Sequence, residues 1–443
     1  MHVTNVRFEA FKSLYDVSCK LDKFTVITGP NGAGKSNFID GLNFIGEVYE
    51  DGLEFAVGRS GGYDNIAHRR TRRAKRPVAL QIEVKVSRAD LDDIPKKYPW
   101  LHKLNSENPL DVGEFLTYRH RFTLGTASQA LVSDFEIVSD DFEVHDSRGR
   151  RLLRVERERD GKVAIHRTRA KLNPYIRELL DPFFDTRFSE FISERPRTST
   201  QLITTNFAYS GLFSEIRHAV GGTRVFQLSP HQCRTSGVPT PNAVLERHGE
   251  NLPGAANHLL RNDRSSWAQV QQAMRDIMPG LEEIEVAYTE DRRLALQFRE
   301  RGVGRPWNTN EVSDGTMQSL ALFIALFDTR HPLLAIEEPE NAVHPWILRR
   351  IIDICQRNGS PKQIIATTHS PVLLNYVNPA VVRLMTIKSG RSVIRPLFEF
   401  APQLREAVAN GNFELFELYD SGAIQEAVPR GFADSRHEDR DDE

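Results

Sequence analysis

The sequence predicts an α/β fold in which a mixed, mostly parallel sheet covered by helices is joined to an antiparallel β lobe and a largely helical insertion. Three observations predict it. Toward the carboxyl end, helical and strand patterns alternate through Met317–Phe327, Leu333–Ile336, Trp346–Gln356 and Gln363–Thr367, the rhythm of a parallel sheet with covering helices. Between about residues 53 and 165 apolar residues alternate with polar ones, as in Val78–Val86 and Tyr118–Phe122, which indicates antiparallel strands. A glycine-rich turn separates a strand-like run ending at Thr28 from a helical pattern over Lys35–Tyr49.

In chain order, Val3–Phe11 and Leu21–Thr28 read as a hairpin whose second strand runs into the glycine-rich turn and its helix. Helical spacing dominates from 166 to 276, broken by a proline-containing stretch over Ser229–Pro241, and strand character returns over Ile284–Phe298. The expected segments are therefore 1–165 with the antiparallel lobe, a mainly helical insertion over 166–280, the helix–strand rhythm of 281–425, and an acidic tail over 426–443. That tail ends in Ala433–Glu443, with six acids and two arginines, a composition that resists folding. No internal repeat or sustained heptad occurs, which excludes long coiled-coil arms.

Composition narrows the function classes. Hydrophobic residues at 40% and charged residues at 27% are those of a globular protein, and 443 residues provide ample core. The 58 basic residues against 60 acidic ones give a net charge of −2, so any attraction to nucleic acid must be local. The longest apolar run, Leu320–Phe327, is far shorter than the roughly 20 residues of a membrane span. Met1–Lys12 lacks the apolar centre of a signal peptide. Three widely spaced cysteines, Cys19, Cys233 and Cys355, have no metal-ligand spacing and suit a reducing compartment. The expectation is a cytoplasmic protein without structural zinc and without membrane contact.

Gly29-Pro-Asn-Gly-Ala-Gly-Lys35-Ser36 fits the P-loop pattern and stands where the mechanism needs it, between a strand and a helix. Its backbone N–H groups, from Asn31, Gly32, Ala33 and Gly34 through to Asn37, would face a phosphate chain at a helix N-terminus. Lys35 would reach the β- and γ-phosphates, and Ser36 would bind Mg²⁺. Leu333-Leu-Ala-Ile-Glu337-Glu338 is a buried-strand pattern ending in two carboxylates, a Walker B arrangement. There Glu337 would hold Mg²⁺, directly or through water, and Glu338 would orient and deprotonate the attacking water. Val312-Ser313-Asp-Gly315-Thr opens the helix that follows, with Ser313 a natural N-cap. The strand Ile364–Thr367 runs into Thr368-His369-Ser370-Pro371, which puts an imidazole at the carboxyl edge of the sheet.

The ordered set GPNGAGKSN, VSDGT, LLAIEEPENAVHP and TTHSP closely resembles the ATPase heads of the RecF/SMC/OLD branch of the ABC superfamily, specifically its stand-alone bacterial ATPases. The resemblance implies ATP and Mg²⁺ as ligands, Glu338 as catalytic base, and His369 as sensor of the γ-phosphate and attacking water. It implies that Ser313 and Gly315 act in trans on a nucleotide held by a second copy, with Glu340–His344 as the D-loop. Three positions depart from the general ABC pattern. Asp314 stands for the first signature glycine, Glu337 for the usual aspartate, and Ala342-Val343 for a frequent Gly-Leu; the first two recur within this branch. Gln227 and Gln81 compete for the Q-loop position.

Two basic clusters, His68–Arg76 and Arg148–Lys171, either follow a phosphate backbone or form a solvated loop and a charged hairpin. The functional expectation is an ATPase that dimerises around ATP and acts on DNA or on a partner effector, in DNA repair or anti-phage defence. Its alternative is a nucleotide-gated scaffold that restrains a partner toxin or nuclease with little turnover. A nuclease of the OLD type is not expected, because fewer residues follow Ser370 than the roughly 100 such a domain needs. A transporter ATPase and a small-molecule kinase fit the motif set poorly.

Overall fold

A computed structural model describes residues 1–68, 76–98, 114–127, 134–157, 161–169, 174–180, 200–204, 211–357, 362–388 and 391–400, together with 172, 183, 402 and 405. The first 28 residues form three strands, β1 (His2–Phe11), β2 (Leu14–Lys20) and β3 (Phe24–Thr28). The expected hairpin is corrected here. β1 pairs antiparallel with β2, Phe8 opposite Val17, while β3 joins a different sheet. Burial patterns explain the division: β2 alternates and has one solvated face, whereas all five residues of β3 are buried, as in a central parallel strand.

The chain divides into two compact units. The first comprises Met1–Asp22, Asp40–Thr223 and Ile387–Ile394. Its seven-stranded antiparallel sheet runs in the order β2-β1-β4-β5-β6-β7-β8, with β4 Val78–Ser87, β5 Phe115–Thr126, β6 Phe135–Asp146, β7 Arg151–Arg157 and β8 Val163–Arg167. Alternation puts Tyr118, Phe122 and Phe142 inside, where Phe142 and Phe183 pack edge-on against Phe213. A buried polar network runs through the same core. The Tyr49 hydroxyl meets His120 Nδ1 (2.7 Å), His120 Nε2 meets Asp140 (2.9 Å), and the Ile203 N–H donates to the other Asp140 oxygen (2.6 Å). Every member is satisfied, which is what makes such a network tolerable in a core.

The second unit comprises Lys23–Ile39, Arg224–Thr386 and Arg395–Glu443. β9 (Thr223–Phe226), β13 (Leu333–Glu337), β14 (Gln363–Thr368), β15 (Val382–Lys388) and β16 (Arg391–Pro396) join β3 in a sheet of order β16-β15-β3-β14-β13-β9. β3 is parallel to β14 and β15, and β14 to β13. A three-stranded antiparallel sheet of β10 (Leu281–Tyr288), β11 (Leu294–Glu300) and β12 (Trp307–Asn308) lies in the same unit. The helix Asp314–Phe327 is buried from Met317 to Leu326, so its apolar sequence makes it the centre of this core. Helices Leu252–Asn262, Arg264–Ile277 and Pro345–Gln356 bury residues in the same cluster.

From 166 to 280 the described elements are helical apart from the end of β8 and β9; helices up to Gly221 fall in the first unit and those from Pro230 in the second. The α/β class, with its helix-covered parallel strands and separate antiparallel sheet, is the one the sequence predicts. Cys19, Cys233 and Cys355 are buried free thiols. Among the described residues no helix is long and apolar enough to cross a membrane. Residues 69–75 of the first basic cluster and the tail 426–443 lie outside the described residues.

Candidate functional site

β3, β14 and β13 lie side by side, so the segments that follow them emerge at one carboxyl edge. After β3 comes the P-loop. Gly29 has φ 147°, and a Cβ there would stand 1.9 Å from the Met385 carbonyl oxygen, so only glycine lets the loop pass β15 this closely. The helix Lys35–Glu50 begins at the loop's end. Asn31, Gly32 and Ser36 are exposed, Gly34 and Asn37 half-buried, and Ala33 buried. The Lys35 ammonium is folded back onto the loop, donating to the carbonyls of Gly29 (2.8 Å) and Pro30 (3.1 Å). Burial pushes its pKa down to about 8, against the opposing pull of Glu338.

β13 ends on Glu337, buried and opposite Thr367 of β14. An ion pair with Arg247 Nη2 at 2.9 Å neutralises it. Glu338 follows in a left-handed conformation, φ 47°, where the chain turns away from the sheet; its N–H donates to the Thr367 carbonyl (2.9 Å), and its carboxylate accepts from Asn341 (2.9 Å). His369, exposed after β14, has its pKa lowered, first by burial of the ring and then by the positive charge of Lys35, while Glu338 raises it. Lys35, Glu338 and His369 thus share one electrostatic field.

Glu340 anchors the turn carrying His369. One of its oxygens accepts from the Thr368 hydroxyl (2.6 Å) and from the N–H groups of His369 and Ser370 (3.2 Å each), while burial raises its pKa. The turn after β13 therefore fixes the histidine turn within the same chain.

Ser313 and Gly315 gather elsewhere. The exposed Ser313 caps its helix, accepting from the Thr316 N–H (3.2 Å), and Asp314 pairs with Arg234 (2.7 Å). Arg234 also donates to the carbonyls of Pro230, Thr309 and Val312, which ties down the chain entering that helix. A Cβ on Gly315 would stand 2.8 Å from the Ala342 carbonyl, so the two segments touch. Ala342 itself has φ 58°, which explains why glycine suits that position and leaves alanine strained by about 1 kcal/mol.

The two glutamines are now distinguishable by place. Gln227 is exposed just after β9, next to β13, and its backbone pairs with Arg247 (2.8 Å) and His248 (3.0 Å). Gln81 lies within β4 of the antiparallel sheet. In the second basic cluster, Arg150 is bound to Asp146, Arg151 to Glu143, Arg154 to Glu156 and Arg157 to the Gln201 carbonyl. Arg247, Arg234 and the anchoring role of Glu340 escaped the sequence reading; no local pattern marks an arginine 90 positions from its carboxylate.

No curated protein matches this chain in sequence. Among solved structures, the SMC head bound to the C-winged helix domain of ScpA is 13% identical, covering 90% of this chain and 99% of its own, with a TM-score of 0.48. An SMC head domain from Thermotoga maritima is 12% identical over 90% and 99%, with a TM-score of 0.39. An Smc head with an extended coiled coil, bound to the C-terminal domain of ScpA and derived from Pyrococcus furiosus, is 14% identical over 92% and 99%, with a TM-score of 0.44. Residues 24–375 match the family described as "AAA domain, putative AbiEii toxin, Type IV TA system", and the chain belongs to that family of ATPase-fold proteins.

Proposed function

We propose that this protein binds Mg–ATP on the loop Gly29–Asn37 and hydrolyses it with Glu338 as general base, in composite sites formed by two copies of the chain. The closure would act on DNA or on a partner effector in the cytoplasm, in DNA repair or anti-phage defence. The observation that carries this reading is the convergence of Lys35, Glu338 and His369 at one sheet edge, where Glu338 acts on the titration of both Lys35 and His369, and Lys35 on that of His369. A neutral imidazole beside a carboxylate and an ammonium suits a site that must position water next to a phosphate. Residues 1–165 and 281–425 would form the two halves of the ATPase head, 166–280 its insertion and 426–443 a tail.

The donor set fits magnesium. Among the described residues no group of three or more His, Cys, Asp or Glu could hold a metal. A site of one hydroxyl and one carboxylate, Ser36 and Glu337, suits an ion that keeps its waters and takes phosphate oxygens. When bound, the ion would neutralise charge developing on the phosphates. Lys35 would leave the Gly29 and Pro30 carbonyls for the phosphate chain. Glu338, held by Asn341, would accept a proton from water, and His369, held by Glu340, would orient that water. Ser313, at an exposed helix N-terminus, would meet the γ-phosphate on the partner copy. Gln227 is the better placed of the two glutamines to sense that site.

A second reading draws on the family description, which names a toxin and a toxin–antitoxin system: a nucleotide-gated scaffold that restrains a partner toxin or nuclease. Glu338→Gln separates the two, since the amide keeps the shape and removes the base. ATP binding by calorimetry should persist, phosphate release should fall at least about a hundredfold, within the range general-base catalysis supplies, and light scattering should show an ATP-trapped dimer. Turnover at the parental rate would place the base elsewhere; a parental chain that binds ATP without turnover would favour the scaffold.

A further inference from the structure

Glu337 is 6% exposed, and leaving a carboxylate so buried without a partner is costly, so the identity of the group against it matters. Here that cation is Arg247, its Nη2 2.9 Å from Glu337 Oε1. The arginine is held at its backbone. Its carbonyl accepts from the Gln227 N–H (2.8 Å), and the His248 carbonyl accepts from the Ser229 N–H (2.9 Å), a short ladder that lays this segment along the chain leaving β9. Its side chain is 37% exposed, so solvent reaches part of it. The carboxylate oxygen that it covers belongs to the residue expected to hold the metal.

We propose that Arg247 is a positioning residue that occupies the Walker B carboxylate when no nucleotide is bound and is exchanged for the divalent ion when Mg-nucleotide enters. This rests on the nucleotide-site reading above. A tethered cation at 2.9 Å competes with a free ion at high effective concentration. A lone divalent ion therefore binds poorly, and the exchange goes to completion only when phosphate oxygens supply the ion's remaining ligands. Removing the tether opens the carboxylate to the ion without touching the P-loop.

Mn²⁺ binding to the full chain, followed by electron paramagnetic resonance with and without ADP, tests this. Arg247→Gln and Arg247→Met are two independent replacements, and thermal melting verifies that each folds. Either should bind Mn²⁺ roughly tenfold more tightly than the parent, while ADP affinity in EDTA stays unchanged. Arg247→Lys, which keeps a cation, should return Mn²⁺ affinity toward the parental value. Equal or weaker Mn²⁺ binding by the folded Gln and Met variants would overturn the exchange and leave Arg247 as an orienter of the carboxylate. Failure of the parent to bind ADP would overturn the nucleotide reading instead, and the ADP-free Mn²⁺ comparison would then decide only whether Arg247 competes with the ion for Glu337.

Discussion

Lys362 is a buried ammonium that the candidate site does not use. It donates to the Ala325 carbonyl (2.7 Å) in the last turn of the helix Asp314–Phe327, where a cation suits the helix dipole. Burial nonetheless pushes its pKa down to about 8, with Asp328 opposing. An unfolded lysine titrates near 10.4, so between about pH 8 and 10.4 the unfolded chain holds a proton that the folded chain has shed. Stability from this group therefore rises with pH across that window and is lost as pH falls back through about 8. Relative to Lys362→Met, the parent should gain up to about 1.4 kcal/mol per pH unit between pH 8 and 10.4, with a flat difference below pH 8. Urea titrations of both chains at several pH values check this, and parallel curves throughout would mean that the folded lysine keeps its ordinary pKa.

At the scale of elements, the passage from β3 into the P-loop depends on how closely it runs beside β15. Gly29→Ala would put a methyl group 1.9 Å from the Met385 carbonyl oxygen in a backbone region that alanine avoids. Either the loop or β15 must move. The expected loss is about 2–4 kcal/mol by urea titration, from strain and overpacking together, with nucleotide affinity falling too. Gly302→Ala is the control: φ is 79°, nothing lies within 4 Å of its Cβ, and about 1 kcal/mol of conformational strain is the whole expected effect. An equal loss in the two variants would show that backbone conformation, not the approach to β15, makes Gly29 necessary. The same scale shows why the hairpin expectation failed: Leu14–Lys20 alternates and Phe24–Thr28 does not, and that difference separates an antiparallel strand with a wet face from a buried parallel one.

For the whole molecule, the proposed composite site asks for chemistry that no single chain completes. Ser313 bonds within its own turn and is exposed, while Lys35 lies at the carboxyl edge of β3. Ser313→Arg should bind ATP as the parent does but neither dimerise nor hydrolyse, because the side chain fills the space of a phosphate. Lys35→Ala should lose ATP binding, since it removes the strong point charge of the loop. Mixed together, the two inactive chains should recover part of the parental phosphate release, because a mixed dimer holds one site with an intact P-loop and an intact signature. A rate per chain that is independent of protein concentration in a strictly monomeric sample would refute the composite site.

What the sequence determined by itself was everything carried by contiguous residues. The P-loop, the apolar run into Glu337-Glu338, the capped helix after Ser313 and the strand into His369 could each be read locally, because each needs neighbouring residues in one backbone conformation. Their order also predicted the sheet that brings three of them to one edge. Tertiary structure alone decided which side chains meet across distance. Arg247 covers Glu337 from 90 positions away, Glu340 clamps the His369 turn, and Gln227 rather than Gln81 stands beside β13. The physical reason is that a buried charge constrains only the sign and reach of its partner, so many arginines satisfy it equally in sequence, and the fold selects the one whose backbone is already held beside it.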